Sequence, residues 1–187
     1  MNKAIIISAP SGAGKTTIVK ALLEKVPELE FSVSACTRPM RTGEVHGKDY
    51  WFLTADEFAA RIEADELVEY QEVYPGSFYG TLKAEMQRIW DNRHAVIFEV
   101  DAIGGINLKK YFGDLALSIF IKPPSVELLE QRLRNRNTDD ETSIGNRMAK
   151  AMFELSFAEN FDEIVVNDNL DEAISSVVGL VKRFLIQ

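Results

Sequence analysis

Residues 4 to 20, Ala-Ile-Ile-Ile-Ser-Ala-Pro-Ser-Gly-Ala-Gly-Lys-Thr-Thr-Ile-Val-Lys, constrain this chain more than any other stretch. Ala4 to Ile7 form an apolar, β-branched run of the kind a strand covered on both faces requires. Ile18, Val19, Leu22 and Leu23 then recur at helical spacing. Between them the backbone must turn, and Gly12 and Gly14 permit a turn whose N–H groups point inward. The helix N-terminus beyond that turn adds unpaired donors and a favourable dipole, so the stretch predicts a cradle for phosphate. Lys15 supplies an ammonium for β- and γ-phosphates, and the Thr16 hydroxyl falls where such loops offer a ligand to Mg²⁺. The pattern G-x-x-x-x-G-K-[ST] is met from Gly14 onward but starts with Ala9. Alanine disfavours a left-handed backbone without preventing the loop, because Gly12, Gly14, Lys15 and Thr16 stay in register.

A chain of 187 residues is long enough for one globular core. Its formal charge of −8 argues against broad binding to nucleic acid or membrane surfaces, which demands a basic face. Any polyanion must be met locally, and the arginines are indeed gathered at Arg38 and Arg41 and again at Arg132, Arg134, Arg136 and Arg147. There is no run of 18 apolar residues and no export-like leader, so a soluble, cytoplasmic protein is expected. Cys36 is the single cysteine and reads as a small packing residue. His46 and His94 have no metal-ligand spacing and read as surface or structural groups.

In chain order, Phe31 to Ser34 alternates as a short strand and 37–50 is a polar loop carrying Arg38, Arg41, Lys48 and Tyr50. Guanidiniums grip phosphate bidentately and a tyrosine hydroxyl adds a neutral donor, so this loop suits a terminal phosphate as well as it suits solvent. Tyr50 to Leu53 reads as a strand, Thr54-Ala-Asp-Glu57 as a capping box, and Leu67 to Val73 as extended chain. Pro75-Gly76-Ser77 turns it, and Phe78 to Thr81 leads into a helix reaching about Trp90. Ala95 to Asp101 is a buried strand with Glu99 and Asp101 at its carboxyl end, where open α/β sheets bind ligands; Asp101 is placed there either to meet a ligand or metal-bound water or to cap the next helix. Leu117 to Ile121 is another strand, and the polar segment from Arg132 reads as a mobile lid. The next helix places Ile144, Met148, Ala151, Met152 and Leu155 on a core-facing stripe, with Arg147 and Lys150 off it. Ile164 to Val166 is a last strand, and a C-terminal amphipathic helix runs from Asp171 through Phe184.

This order of parts resembles the nucleoside monophosphate kinases, and within them the guanylate kinase family, over nearly the whole chain. The resemblance rests on Ser11 to Thr16, Ser34 with Thr37 and Arg38, Arg41 to Glu44, Gly47 to Tyr50, Glu69, Tyr79 to Thr81, Asp101, Arg136 with Thr138 and Asp139, Arg147 and Val166 to Asp168. It implies an α/β, three-layer P-loop NTPase fold: one domain over 1–187, with 1–33 and 82–187 as core, a lid at about 135–147 and a small α+β insertion at about 34–81 that binds GMP. It assigns the GMP phosphate to Ser34, Arg38, Arg41, Tyr50 and Tyr79, and guanine to Glu69, Thr81 and Asp101, with Glu99 in the same acceptor set. ATP falls to Ala9, Pro10, Ser11, Gly12, Ala13, Gly14, Lys15, Thr16 and Thr17, with Asn167 near adenine. Lys15, Arg136 and Arg147 are the implied catalytic cations, and Mg²⁺ accompanies ATP at Thr16.

Glu99 replaces the family's more frequent aspartate, Asn137 replaces a lid glycine, and one extra residue lies around Tyr74 to Ser77. The oligomeric state is undecided by the sequence. Three other readings share features with this one. A P-loop kinase of a ribose phosphate has no use for a carboxylate at Glu69 beside Thr81. A silent guanylate-kinase-like binding module is expected to lack Lys15 or the lid arginines, and a GTPase switch needs an N-K-x-D that is absent.

Overall fold

The computed structural model describes residues 2–134 and 141–187. β1 (Ala4–Ser8), α1 (Lys15–Lys25), β2 (Leu29–Phe31), β3 (Ala35–Cys36), β4 (Trp51–Phe52), α2 (Ala55–Glu63), β5 (Leu67–Tyr74) and β6 (Ser77–Leu82) make the first half. α3 (Lys83–Asp91), β7 (Ala95–Val100), α4 (Ala102–Phe112), β8 (Ala116–Lys122), α5 (Val126–Arg134), α6 (Glu141–Leu155), β9 (Glu163–Val166) and α7 (Leu170–Ile186) complete it.

β1 is buried along its whole length and is the middle strand of a sheet ordered β2-β7-β1-β8-β9, in which every pair is parallel. Its alternating side chains fill two cores. Ile5 and Ile7 pack with Ile18 and Leu22 of α1 and Val177 and Val181 of α7. Ala4 and Ile6 pack with Met86 and Ile89 of α3 and Leu108 and Phe112 of α4. A strand that feeds helices on both faces has no wet side, which is why its sequence reads as a continuous apolar run. The result is the three-layer α/β arrangement expected from the sequence.

A second, mixed sheet ordered β4-β3-β6-β5 stands beyond the carboxyl edge of the first. Its own core is Ala35, Leu67 and Leu82 covered by Phe58 of α2. α2 begins on the expected capping box, with the Thr54 side chain accepting from Glu57 N and the Glu57 carboxylate accepting from Thr54 N.

The span of β2 and the buried line of α6 are among the features that differ from the sequence expectation. β2 is Leu29–Phe31, not Phe31 to Ser34, because the chain leaves the first sheet after Ser32 N donates to Ile97 O and must reach Ala35 in the second. On α6, Ile144 and Ala151 are buried but Met152 is 48% exposed. Two i+4 steps turn a helix by about 80°, whereas one i+7 step turns it by only about 20°, so the buried line follows 144 and 151 and leaves 152 outside. Residues 141–147 of the expected lid segment are the start of α6, and 135–140, including Arg136 and Asn137, lie outside the described residues. No helix among the described residues is long and apolar enough to cross a membrane.

Candidate active site

The loop between β1 and α1 turns at Gly12 (φ 89°) and Gly14 (φ 92°). Ala9 is not among the left-handed residues, so the glycine of the general pattern is not needed at this position. Gly14 carries a second constraint, because a Cβ there would stand 2.5 Å from Asn167 Nδ2. That amide donates to Ala13 O at 2.8 Å, so Asn167, itself 4% exposed, braces the loop from beneath.

Register places the next groups. Ile7 pairs with Glu99 and Ser8 with Val100, so the loop that follows Ser8 emerges beside the acidic end of β7. Lys15 Nζ donates to Val100 O at 2.9 Å and the Thr16 hydroxyl donates to Glu99 Oε1 at 2.6 Å. Thr16 and Glu99 together present hard oxygen atoms beside the phosphate loop, a donor set that suits Mg²⁺ completed by nucleotide phosphates. No cluster of three or more His, Cys, Asp or Glu among the described residues makes a self-sufficient metal cage.

Facing this edge is the β5–β6 hairpin, where Glu69 and Thr81 are directly paired across antiparallel strands. The Thr81 hydroxyl donates to Glu69 Oε1 at 2.8 Å. Burial, with the Asp101 charge adding to it and the Thr81 hydrogen bond opposing it, pushes the Glu69 carboxyl up to about 7. Asp101 caps α4, its Oδ1 accepting from Gly104 N at 2.9 Å, and the same oxygen accepts from Gln71 Nε2. The helix-capping alternative for Asp101 is thus realised, while its carboxylate still lines the cleft.

Arg38 is fixed from two sides. Its guanidinium forms a bidentate pair with Glu44, at 2.7 and 2.6 Å, and lies 4.9 Å from the Tyr50 ring centre and 5.3 Å from that of Phe52. Glu44 also accepts from Arg41 N at 2.8 Å, and these bonds, Arg38 foremost, hold its carboxyl at about 2. Burial raises the Tyr50 and Tyr79 hydroxyls, whose rings meet edge to face at 5.9 Å.

A cleft of about 360 Å³ runs between the two sheets. Ala9, Pro10, Ser11, Gly12, Gly14, Lys15, Thr16 and Thr17 line one end of it. Ser34, Tyr50, Glu69, Tyr79, Glu99 and Asp101 line the rest. Of the other residues singled out by sequence, Ala13, Asn167 and Thr81 are buried behind its walls, Arg38 and Arg41 stand on the adjoining loop, and Arg147 is partly buried on α6. Arg136 is outside the described residues.

Four groups at or beside the cleft were missed. Glu44 is six residues from Arg38, a spacing no regular element announces. Gln71 was legible, since strand periodicity puts it on the face of Glu69. Lys150 and Glu154 also line the cleft and lie on the α6 face of Arg147 by the i, i+3, i+7 rule.

A glycine-turned loop after the central strand of a parallel sheet, followed by a helix whose first residues are Lys15 and Thr16, makes this chain a P-loop nucleotide-binding protein by class. The family profile for guanylate kinase matches residues 1–183, and the chain belongs to that family. It is 49% identical over 183 residues to a guanylate kinase of Bacteroides fragilis, covering 98% of this chain and 90% of that one. The crystal structure of guanylate kinase from Anaplasma phagocytophilum superposes with a TM-score of 0.78 at 29% identity, covering 97% of this chain and 85% of that one. A shikimate kinase from Bacteroides thetaiotaomicron shares the fold alone, with a TM-score of 0.50 at 15% identity, covering 99% of each chain.

Proposed function

We propose that this chain transfers the γ-phosphoryl group of ATP to the phosphate of GMP, giving ADP and GDP, with the residues in the following roles. The observation that carries the choice of acceptor is the Glu69–Thr81 pair, a half-buried carboxylate and a buried hydroxyl 2.8 Å apart opposite the phosphate loop. Guanine offers N1–H and a 2-amino group side by side, and an ionised carboxylate has two oxygens to receive them. Adenine puts a bare acceptor at N1 and meets the same carboxylate with repulsion.

Residues 34–81 are the acceptor-binding insertion in this reading. Arg38, oriented by Glu44, takes the GMP phosphate with Ser34, Arg41, Tyr50 and Tyr79, and Asp101 joins Glu69 and Thr81 at the base. On the donor side the loop from Ala9 to Thr17, through its free backbone N–H groups, and the Lys15 ammonium hold the ATP phosphates, and Asn167 contributes through its grip on Ala13. Thr16, oriented by its hydrogen bond to Glu99, would hold Mg²⁺ arriving with ATP, and the ion would supply charge neutralisation of the phosphates. Lys15, Arg136 and Arg147 neutralise the charge that spreads over the transferred group, in a reaction whose catalysis is positioning and electrostatics. Exclusion of water from the site when both nucleotides are bound keeps water from competing as acceptor.

The test is ADP release by purified protein with ATP and Mg²⁺ against GMP, AMP, CMP, UMP and ribose phosphates, run beside Glu69→Gln. GMP is the preferred acceptor, and the substitution lowers kcat/KM for GMP by about thirty- to a thousandfold, through a lost charge-assisted bond and an N–H turned toward an N–H. Equal use of AMP, or full activity of Glu69→Gln on GMP, overturns the reading.

A further inference from the structure

The cleft is charged in the wrong sense for its ligands. Among the described residues that line it, the cations are Lys15 and Lys150, against the carboxylates of Glu69, Glu99, Asp101 and Glu154. Two nucleotides bring several more negative charges into the same space, so the wall carboxylates repel what the loop attracts unless they are compensated locally.

Lys150 stands where that compensation is needed. It extends from α6, and its Nζ is 4.0 Å from Asp101 Oδ2 on the acceptor side and 3.9 Å from Glu154 Oε1. The Tyr74 ring, from the end of β5 in the second sheet, lies behind the ammonium at 4.6 Å from its centre. Glu154 is 5% exposed, and burial pushes its carboxyl up even though Lys150, Lys15 and the Ser11 amide pull the other way. Lys15 is turned to Val100 O, and Lys150 stands near both carboxylates. Both separations exceed a direct hydrogen bond, which places the charge between its partners and leaves its donors uncommitted to either.

We propose that Lys150 is a positioning residue for both substrates: its ammonium offsets Asp101 beside the acceptor and Glu154 beside the phosphate loop, and so keeps the cleft receptive to polyanionic nucleotides. The inference rests on the kinase reading above. It assigns Lys150 no contact with the reacting atoms and acts through the two carboxylates.

The experiment compares wild type, Lys150→Met, Lys150→Arg and the double variant Lys150→Met with Glu154→Gln, by steady-state kinetics in ATP and GMP. Lys150→Gln is carried in parallel in case the apolar side chain impairs folding, and thermal melting is recorded for each. Lys150→Met raises KM for both nucleotides by about three- to tenfold, the scale of one partly solvated counter-charge, while kcat changes by less than about twofold. Lys150→Arg restores both values, and Glu154→Gln in the Met background brings KM for ATP back toward wild type because the uncompensated charge is gone. A packing role predicts no such rescue. Unchanged KM values in Lys150→Met and Lys150→Gln, or a defect that Glu154→Gln does not relieve, overturn the inference. Wild-type protein inactive on GMP overturns the kinase reading instead, so the two failures are distinct.

Discussion

The hydroxyl of Thr16 and the carboxylate of Glu99, 83 residues apart in the chain, are joined by a 2.6 Å hydrogen bond across the carboxyl edge of the parallel sheet. The resemblance had grouped Glu99 with the acceptor set, but here it faces the first turn of α1. Glu99→Gln therefore raises the Mg²⁺ concentration needed for half-maximal activity by about ten- to a hundredfold, the usual effect of disturbing an outer partner of a metal ligand. Affinity for GMP measured calorimetrically without ATP changes by less than about threefold. The opposite pattern, GMP affinity lost and the Mg²⁺ requirement kept, returns Glu99 to the acceptor side.

Glu69 makes acceptor binding depend on pH. Its carboxyl, raised to about 7 by burial, is largely protonated at pH 6 and ionised at pH 8, and only the ionised form accepts from both guanine donors. GMP binding strengthens by about tenfold from pH 6 to pH 8 beyond what the phosphate itself contributes, a change Glu69→Gln removes. Stability moves the other way. A folded pKa above the unfolded value gives stability that is present in full below about pH 4.5 and lost as pH rises through 7, a loss of about 3 kcal/mol from a buried carboxyl. Melting scans at pH 5 and pH 8 check this: Glu69→Gln gains on wild type at the higher pH.

Glu44 orients Arg38 without lying on the cleft itself. Glu44→Ala leaves Arg38 with the Tyr50 and Phe52 rings and its bond to Pro39 O, and KM for GMP rises by about tenfold because the guanidinium must then be more fully ordered on binding. kcat at saturating GMP falls less than threefold. A kcat loss as large as the KM change contradicts a purely orienting role.

Gly14→Ala combines a left-handed backbone with a Cβ 2.5 Å from the Asn167 amide. It costs at least about 2 kcal/mol in chemical denaturation and weakens ATP binding, since the loop moves or Asn167 leaves Ala13. Gly43→Ala is the comparison, with a similar φ of 89° but nothing within 4 Å of the added carbon. Equal stability losses in the two variants show that backbone strain, rather than the Asn167 contact, governs Gly14.

Local sequence was sufficient wherever one element carries the whole signal. The β1 run is apolar because both faces are covered, the loop glycines announce their own backbone, and Thr54 with Glu57 states the start of α2; none of these needs a distant partner. The second sheet was visible as a break in pattern, whereas Glu69 and Thr81 were singled out only by the resemblance, since no local signal pairs them. What tertiary structure alone decided is the pairing of distant charges. Glu99 meets Thr16 because β7 is neighbour to β1 in register, a consequence of strand order that no local period encodes. Glu44 reaches Arg38 through an irregular loop, and Lys150 reaches Asp101 only because α6 is docked with its Ile144–Ala151 line inward and its charged flank toward the cleft. Helical spacing gives the stripe but leaves its rotation against the core open, and that rotation is set by how side chains from several elements pack at once. Met152 outside and Glu154 inside are two readings of that single angle.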